Sequence, residues 1–140
     1  MIGPWVPTDG FVTLMGGAGI TGAETWKVAL FLSTSNLSVS STTFAGVTNG
    51  HAAGYGYVAG GVAVTLSVTA TEIRLADVPE FVAESGEFTA RGAITARWAA
   101  LYEVAGDVAA FCLLDATPDD VTVNAGDTLQ ITTADVFTLA

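Results

Sequence analysis

Apolar and polar side chains alternate with period two along most of the chain after Trp26, the spacing of strands that bury one face. In 26–32, Trp26, Val28, Leu30 and Leu32 fall on one side, with Lys27, Ala29 and Phe31 between them. Val62, Val64, Leu66 and Val68 alternate with Ala63, Thr65, Ser67 and Thr69, the clearest half-buried strand in the chain. Ile73 and Leu75 alternate with Glu72 and Arg74. Over 94–104, Ile94, Ala96, Trp98, Ala100, Tyr102 and Val104 share one face and Thr95, Arg97, Ala99, Leu101 and Glu103 the other, which predicts a buried Trp98 and an Arg97 facing away. The pairs Val121/Val123, Leu129/Ile131 and Phe137/Leu139 predict three short strands at the end.

The punctuation between these runs is that of an antiparallel protein. Ala105-Gly106-Asp107 reads as a tight hairpin joining 94–104 to 108–115, and Asn124-Ala125-Gly126-Asp127 and Thr117-Pro118-Asp119-Asp120 as two further turns. Residues 33–43, rich in Ser, Thr and Asn, predict a loop, and 48–61, with glycines around Tyr55 and Tyr57, a longer one. The Ala-rich segment 93–113 has helical propensity, with Trp98, Leu101 and Tyr102 on one stripe, but Gly106 and the longer alternation favour the hairpin. The expected fold is all-β: an antiparallel β-sandwich or jelly-roll-like single domain over 26–140, preceded by an N-terminal arm, 1–25. The arm holds Gly3, Gly10, Gly16, Gly17, Gly19 and Gly22, and Val12 to Met15 could form a short strand or helical turn. Ordering so many glycines is entropically costly, so the arm is expected to order on contacts made elsewhere and to serve assembly more than folding.

Composition narrows the function classes. With 140 residues the chain fits one domain, and 51% hydrophobic against 13% charged residues excludes a solvated, disordered chain. It also leaves more apolar surface than one small core absorbs, which predicts contacts with copies or neighbours. Four Lys and Arg against 14 Asp and Glu give a net charge of −10, so nucleic acid and anionic membrane are poor partners. Mean hydropathy is high at +0.55, yet no apolar run approaches the ~18 residues of a spanning helix. The start, with no Lys or Arg before Lys27 and with Pro4 and Pro7, does not read as a secretory signal. One cysteine, Cys112, excludes an intrachain disulfide and suits a reducing cytosol.

Candidate chemistry is sparse. Gly17-Ala18-Gly19-Ile20-Thr21-Gly22 spells the dinucleotide-binding fingerprint, but the strand-like 26–32 stands where the phosphate-binding helix is required. Cys112 lies among Ala110, Phe111, Leu113 and Leu114, the setting of a buried structural thiol, and His51 has no acid beside it in sequence. Asp115, Asp119 and Asp120 surround one turn without the spacing of a calcium loop. Glu72, Glu80, Glu84, Glu87 and Glu103 supply carboxylates but no polar constellation around them. The expectation is no catalytic, cofactor-binding or metal site, and no enzyme.

Four segments, in order, carry a resemblance. They are Glu24 to Ser35; Val47-Thr48-Asn49 with Gly54-Tyr55-Gly56-Tyr57-Val58-Ala59-Gly60-Gly61 leading into 62–68; Ala93-Ile94-Thr95-Ala96-Arg97-Trp98-Ala99-Ala100-Leu101-Tyr102; and Asp135 to Ala140. Together they resemble a family of small structural proteins of tailed-bacteriophage virions. The chain departs from that pattern at Gly50-His51-Ala52-Ala53, where the family tends to carry an acidic residue after the Asn. The resemblance implies a β-sandwich built into the particle, without enzymatic activity or cofactor. The expected function is capsid decoration or cement, bound to the major capsid protein or other virion proteins and to itself as a homo-oligomer, a trimer first. The localisation implied is the virion, after synthesis in the host cytoplasm. Alternatives are a tail, neck or fibre component, or a carbohydrate-binding sandwich for host attachment, with Trp5, Trp98, Tyr55 and Tyr57 as stacking candidates. Trp5, Phe11, Tyr55 and Tyr57 are the candidate partner-contact residues.

Overall fold

The computed structural model describes residues 2–16, 20, 24–51, 57–58, 60–69, 72–82, 94–104, 106–115, 119–124, 126–132 and 135–138. In chain order the elements are β1 (Val6–Pro7), α1 (Asp9–Gly16), β2 (Trp26–Phe31), β3 (Val62–Val64), β4 (Leu66–Val68), β5 (Glu72–Leu75), β6 (Glu80–Val82), β7 (Ile94–Ala96), β8 (Trp98–Glu103), β9 (Val108–Leu113), β10 (Val121–Val123), β11 (Thr128–Gln130) and β12 (Asp135–Thr138). A 3-10 turn, Phe44–Gly46, lies in the connection after β2. The fold is all-β and every strand pairing described is antiparallel. Among the described residues, no helix is long and apolar enough to cross a membrane.

The largest sheet has the order β1-β9-β8-β2-β3, and β2 is matched to β8 along its whole length, from Trp26↔Glu103 to Phe31↔Trp98. β8 and β9 form the expected hairpin, with the Glu103 amide donating to the Asp107 carbonyl at 3.0 Å. Three smaller sheets complete the fold: β12-β5-β4, β10-β7 and β11-β6. On one face of the large sheet, Trp26, Val28, Leu30, Ala99, Leu101 and Cys112 share a core with Leu66, Ile73, Leu75, Phe81, Ile94, Val123 and Ile131 from the smaller sheets. On the other face, Ala29, Phe31, Ala100, Tyr102 and Val108 are covered by the connection after β2 through Leu37, Phe44 and Val47. β2 is therefore buried on both sides, not one; Leu32, expected on its inner face, lies beyond the strand end and is exposed.

Both long alternating runs change sheets midway. In 62–68 the break is at Thr65, whose amide donates to the Asp77 carboxylate at 3.1 Å and whose carbonyl accepts from the Ala76 amide at 2.8 Å. The alternation survives it, with Val64 and Leu66 both in the core. In 94–103 the break is at Arg97, and there the phase slips. Ile94 and Ala96 lie in the same cluster as Ala99 and Leu101, while Trp98, Ala100 and Tyr102 turn to the opposite face. One residue taken out of the pleat reverses the side chains that follow. Arg97 holds the bend in place: its amide donates to the Phe31 carbonyl, its carbonyl accepts from the Leu114 amide, both at 2.9 Å, and its side chain pairs with Asp120 at 2.9 Å. The expected burial of Trp98 opposite Arg97 is thus corrected: both are half-buried, and Trp98 packs on the outer cluster.

Two C-terminal expectations resolve differently. The Asn124–Asp127 turn closes with an Asp127 amide to Asn124 carbonyl bond of 2.9 Å and Gly126 at φ +89°, but it joins β10 and β11, which belong to different sheets. In β12, Val136 is the residue in the core, displaced from the ladder between Asp135↔Arg74 and Phe137↔Ile73. Leu139 and the Thr117-Pro118 part of the third predicted turn lie outside the described residues.

The N-terminal segment, expected to order on contacts made elsewhere, packs on the large sheet over the residues described. β1 pairs with β9 through Val6↔Phe111 and Pro7↔Ala110, and the Gly3 amide donates to the Leu113 carbonyl at 2.8 Å. Thr8 precedes α1 as its cap: its hydroxyl donates to the Val108 carbonyl at 2.6 Å and lies 3.4 Å from the Phe11 amide, which donates to it. Gly10 sits so close to β9 that a Cβ would overlap the Val108 carbonyl. Trp5, Phe11 and Ile20 are buried in the main core. Glycine here permits close packing instead of flexibility, so the boundary at residue 25 does not separate arm from domain over the residues described. Trp5→Ala should cost roughly 3–5 kcal/mol, as for other buried large aromatics, and removal of residues 1–16 should abolish the cooperative unfolding transition seen by circular dichroism.

Candidate functional site

Two tyrosines tie the glycine-rich loop to the large sheet. The Tyr57 hydroxyl accepts the Leu30 amide at 3.1 Å, and its buried ring lies 5.9 Å from Phe81 and 4.8 Å from His51, edge-on to the latter. The Tyr102 hydroxyl donates to the Gly60 carbonyl at 2.6 Å, and its ring stacks on Phe44 at 3.7 Å and 9°. Burial pushes both phenol pKa values up, with the Leu30 amide working against that at Tyr57. Gly61, at φ +86°, lies where a Cβ would overlap the Val28 carbonyl, so both conformation and space demand glycine.

The residues singled out from sequence do not gather on a surface. Trp5, Phe11 and Tyr57 lie buried in the core, where little of their rings is exposed; Tyr55 lies outside the described residues. Period-two reading had no means of separating an aromatic that anchors a loop from one that faces solvent, because both interrupt glycine-rich sequence. Of the fingerprint 17–22 only Ile20 is described, and it is buried apolar core. Cys112 is fully buried and its thiol is pushed up to about 12, mainly by desolvation, against a hydrogen bond with the Ala99 backbone that lowers it. His51 is half-buried against Tyr57, not exposed. Asp120 is spent on Arg97, and the Glu80 carboxylate accepts from Gln130 at 2.6 Å. Glu84 and Glu87 lie outside the described residues, among which no three His, Cys, Asp or Glu side chains converge as a metal site.

Two concavities lie on the loop that covers the outer face of the large sheet. One, of about 240 Å³, is lined by Asn36, Ser38, Ser40, Ser41, Thr42 and Thr43, with Gly46 and Val47 at its end. A second, of about 390 Å³, lies beside Thr43, Phe44, Ala45, Gly106 and Asp107. Asn36 clamps the loop by donating to the Gly46 carbonyl at 3.1 Å and accepting the Thr48 amide at 2.8 Å. Thr43 bridges to Asp107 across the β8–β9 turn, and the Phe44 amide donates to the Gly106 carbonyl at 3.1 Å. Sequence reading placed a loop here but not its shape; the accumulation of Ser and Thr hydroxyls was the one available signal.

In a urea titration, Gly61→Ala should destabilise by roughly 2–5 kcal/mol through backbone strain plus overpacking. Gly106→Ala, with its nearest contact at 3.4 Å, should change stability by less than about 1 kcal/mol in the same urea titration. Cys112 should resist thiol reagents at pH 8 until the chain unfolds. Because the native thiol keeps its proton after the unfolded one, near 9.0, has lost it, stability should fall as pH rises from there towards 12, by about 1.4 kcal/mol per unit. Cys112→Ala should make that alkaline limb shallower, the raised Tyr57 and Tyr102 phenols keeping the remainder of the slope.

Compared with protein-family models, curated proteins and solved structures, the chain matches none.

Proposed function

We propose that this chain is a non-enzymatic structural component of a tailed-bacteriophage particle, a decoration or cement protein on the outside of the capsid shell. The observation that carries the reading is that three of the four segments resembling that family meet in space. Leu30 from the first is held by Tyr57 from the second, and Gly60 of the second by Tyr102 from the third. The resemblance therefore falls on residues that depend on one another physically, not on scattered letters of a common composition.

Surface chemistry supports the same reading. Val12 and Met15 on α1 and Val39 in the neighbouring loop are at least half exposed, and the Asp9 amide donates to the Val39 carbonyl at 2.8 Å, which places the helix start beside that loop. Such apolar side chains suit contacts with the major capsid protein or with further copies, in a trimer at three-fold positions of the shell. The net charge of −10 repels packaged DNA and favours the outer surface. The test is mass spectrometry and cryo-electron microscopy of density-purified particles from a phage carrying this gene. The expected result is the chain in fixed ratio to the major capsid protein, as trimeric density outside the shell. Density on the tail would reject the capsid position, and absence from purified particles would reject the proposal.

A further inference from the structure

We propose that the groove on either side of Thr43 is a binding site for a neutral saccharide. The two concavities share Thr43 in their linings, one otherwise ringed by side-chain oxygens, the other by Phe44, Ala45, Gly106 and Asp107. The larger, of about 390 Å³, falls within the roughly 300–1,000 Å³ usual for small-molecule sites, and the smaller, of about 240 Å³, falls just below it; each has room for a sugar ring.

Two hydroxyl oxygens on the first side are held by the loop backbone: Ser41 Oγ accepts the Ser38 amide at 3.0 Å, and Ser38 Oγ accepts the Ser40 amide at 3.2 Å, which leaves each O–H available as a donor. The hydroxyls of Ser40, Thr42 and Thr43 make no hydrogen bond in the described structure. On the second side the half-buried Asp107 carboxylate, a pure acceptor, has no partner among the described residues, since only its backbone is engaged. A groove offering donors on one side and a strong acceptor on the other matches a ligand whose groups both donate and accept, which is the property of sugar hydroxyls.

Charge selects the class further. No Lys or Arg lines either concavity, and Asp107 together with the net charge of −10 repels uronic and sialic acids. Phe44 lines the second concavity, half-buried and backed by the stacked Tyr102 ring, an apolar surface for the C–H face of a pyranose. The Asn36 clamp and the Thr43–Asp107 bridge hold the groove open in the free protein, which lowers the ordering cost of binding.

The experiment is an amide-resolved NMR titration of the full chain with neutral trisaccharides of glucose, mannose, galactose and N-acetylglucosamine, and with trigalacturonate as the anionic probe. It needs no particle, so its failure leaves the structural role standing. At least one neutral trisaccharide should shift amides within 36–47 and 106–107 saturably, and trigalacturonate should not. Asp107→Asn should weaken that binding about tenfold or more, the loss of a hydrogen bond to a charged group, with amides elsewhere unmoved. Thr43→Val should weaken it in the same direction. No response to any neutral probe, equal binding of trigalacturonate, shifts outside the groove, or full affinity in Asp107→Asn would each overturn the proposal.

Discussion

A strand buried on both faces must find apolar cover twice, and β2 finds it in two chemically different ways. Its Trp26, Val28 and Leu30 face is covered by side chains from three small sheets, while its Ala29 and Phe31 face is covered by a loop. Burying that much apolar surface is the main favourable contribution to folding. It also obliges every polar backbone group of β2 to find a partner, because an orphan costs about 1–3 kcal/mol. β8 serves one edge along its full length, but β3 serves the other only from Trp26 to Val28. Past that point the Leu30 amide is taken by the Tyr57 hydroxyl and the Leu30 carbonyl by the His51 amide at 2.9 Å.

That handover explains why a glycine-rich loop is part of the frame. The chain must leave β2, cross the outer face, return along its edge at Asn49 to His51, and then re-enter as β3. Gly61 lets the backbone pass against Val28, and Gly60 presents its carbonyl to Tyr102. The ring of Tyr102 in turn supports Phe44, so the loop over the outer face rests on the same contacts. The groove beside Thr43 is consequently built into the sheet's cover by those contacts. The N-terminal segment contributes from the far edge, where β1 closes β9 and Trp5 seals the core.

The all-β class, the pairing of 98–102 with 108–113 inside the expected 94–104 and 108–115 hairpin, the Trp26, Val28 and Leu30 face of β2 and the buried character of Cys112 were all legible in the sequence. Each rests on local signals, period-two alternation or a turn between apolar runs, that need no knowledge of neighbours. Glycine signals flexibility and close packing by the same letter, so the sequence leaves the N-terminal segment open, and only the approach of Gly10 to β9 decides between the two. Of the candidate site, the sequence displayed the Ser and Thr content of 33–43 but not the hollow it lines.

What the sequence by itself determined is which residues prefer strands and which faces are apolar. Alternation also marked the inward residues of 62–68 correctly, because its phase passes unbroken through Thr65. What only the tertiary structure decided is where a strand exchanges one partner for another, and whether its phase survives. At Arg97 the chain is pulled from the pleat by Phe31, Leu114 and Asp120, partners 66, 17 and 23 residues away in sequence, and Trp98 changes face as a result. Periodicity is a property of neighbouring residues, whereas a sheet switch is a balance among hydrogen bonds between distant ones, so no local pattern encodes it.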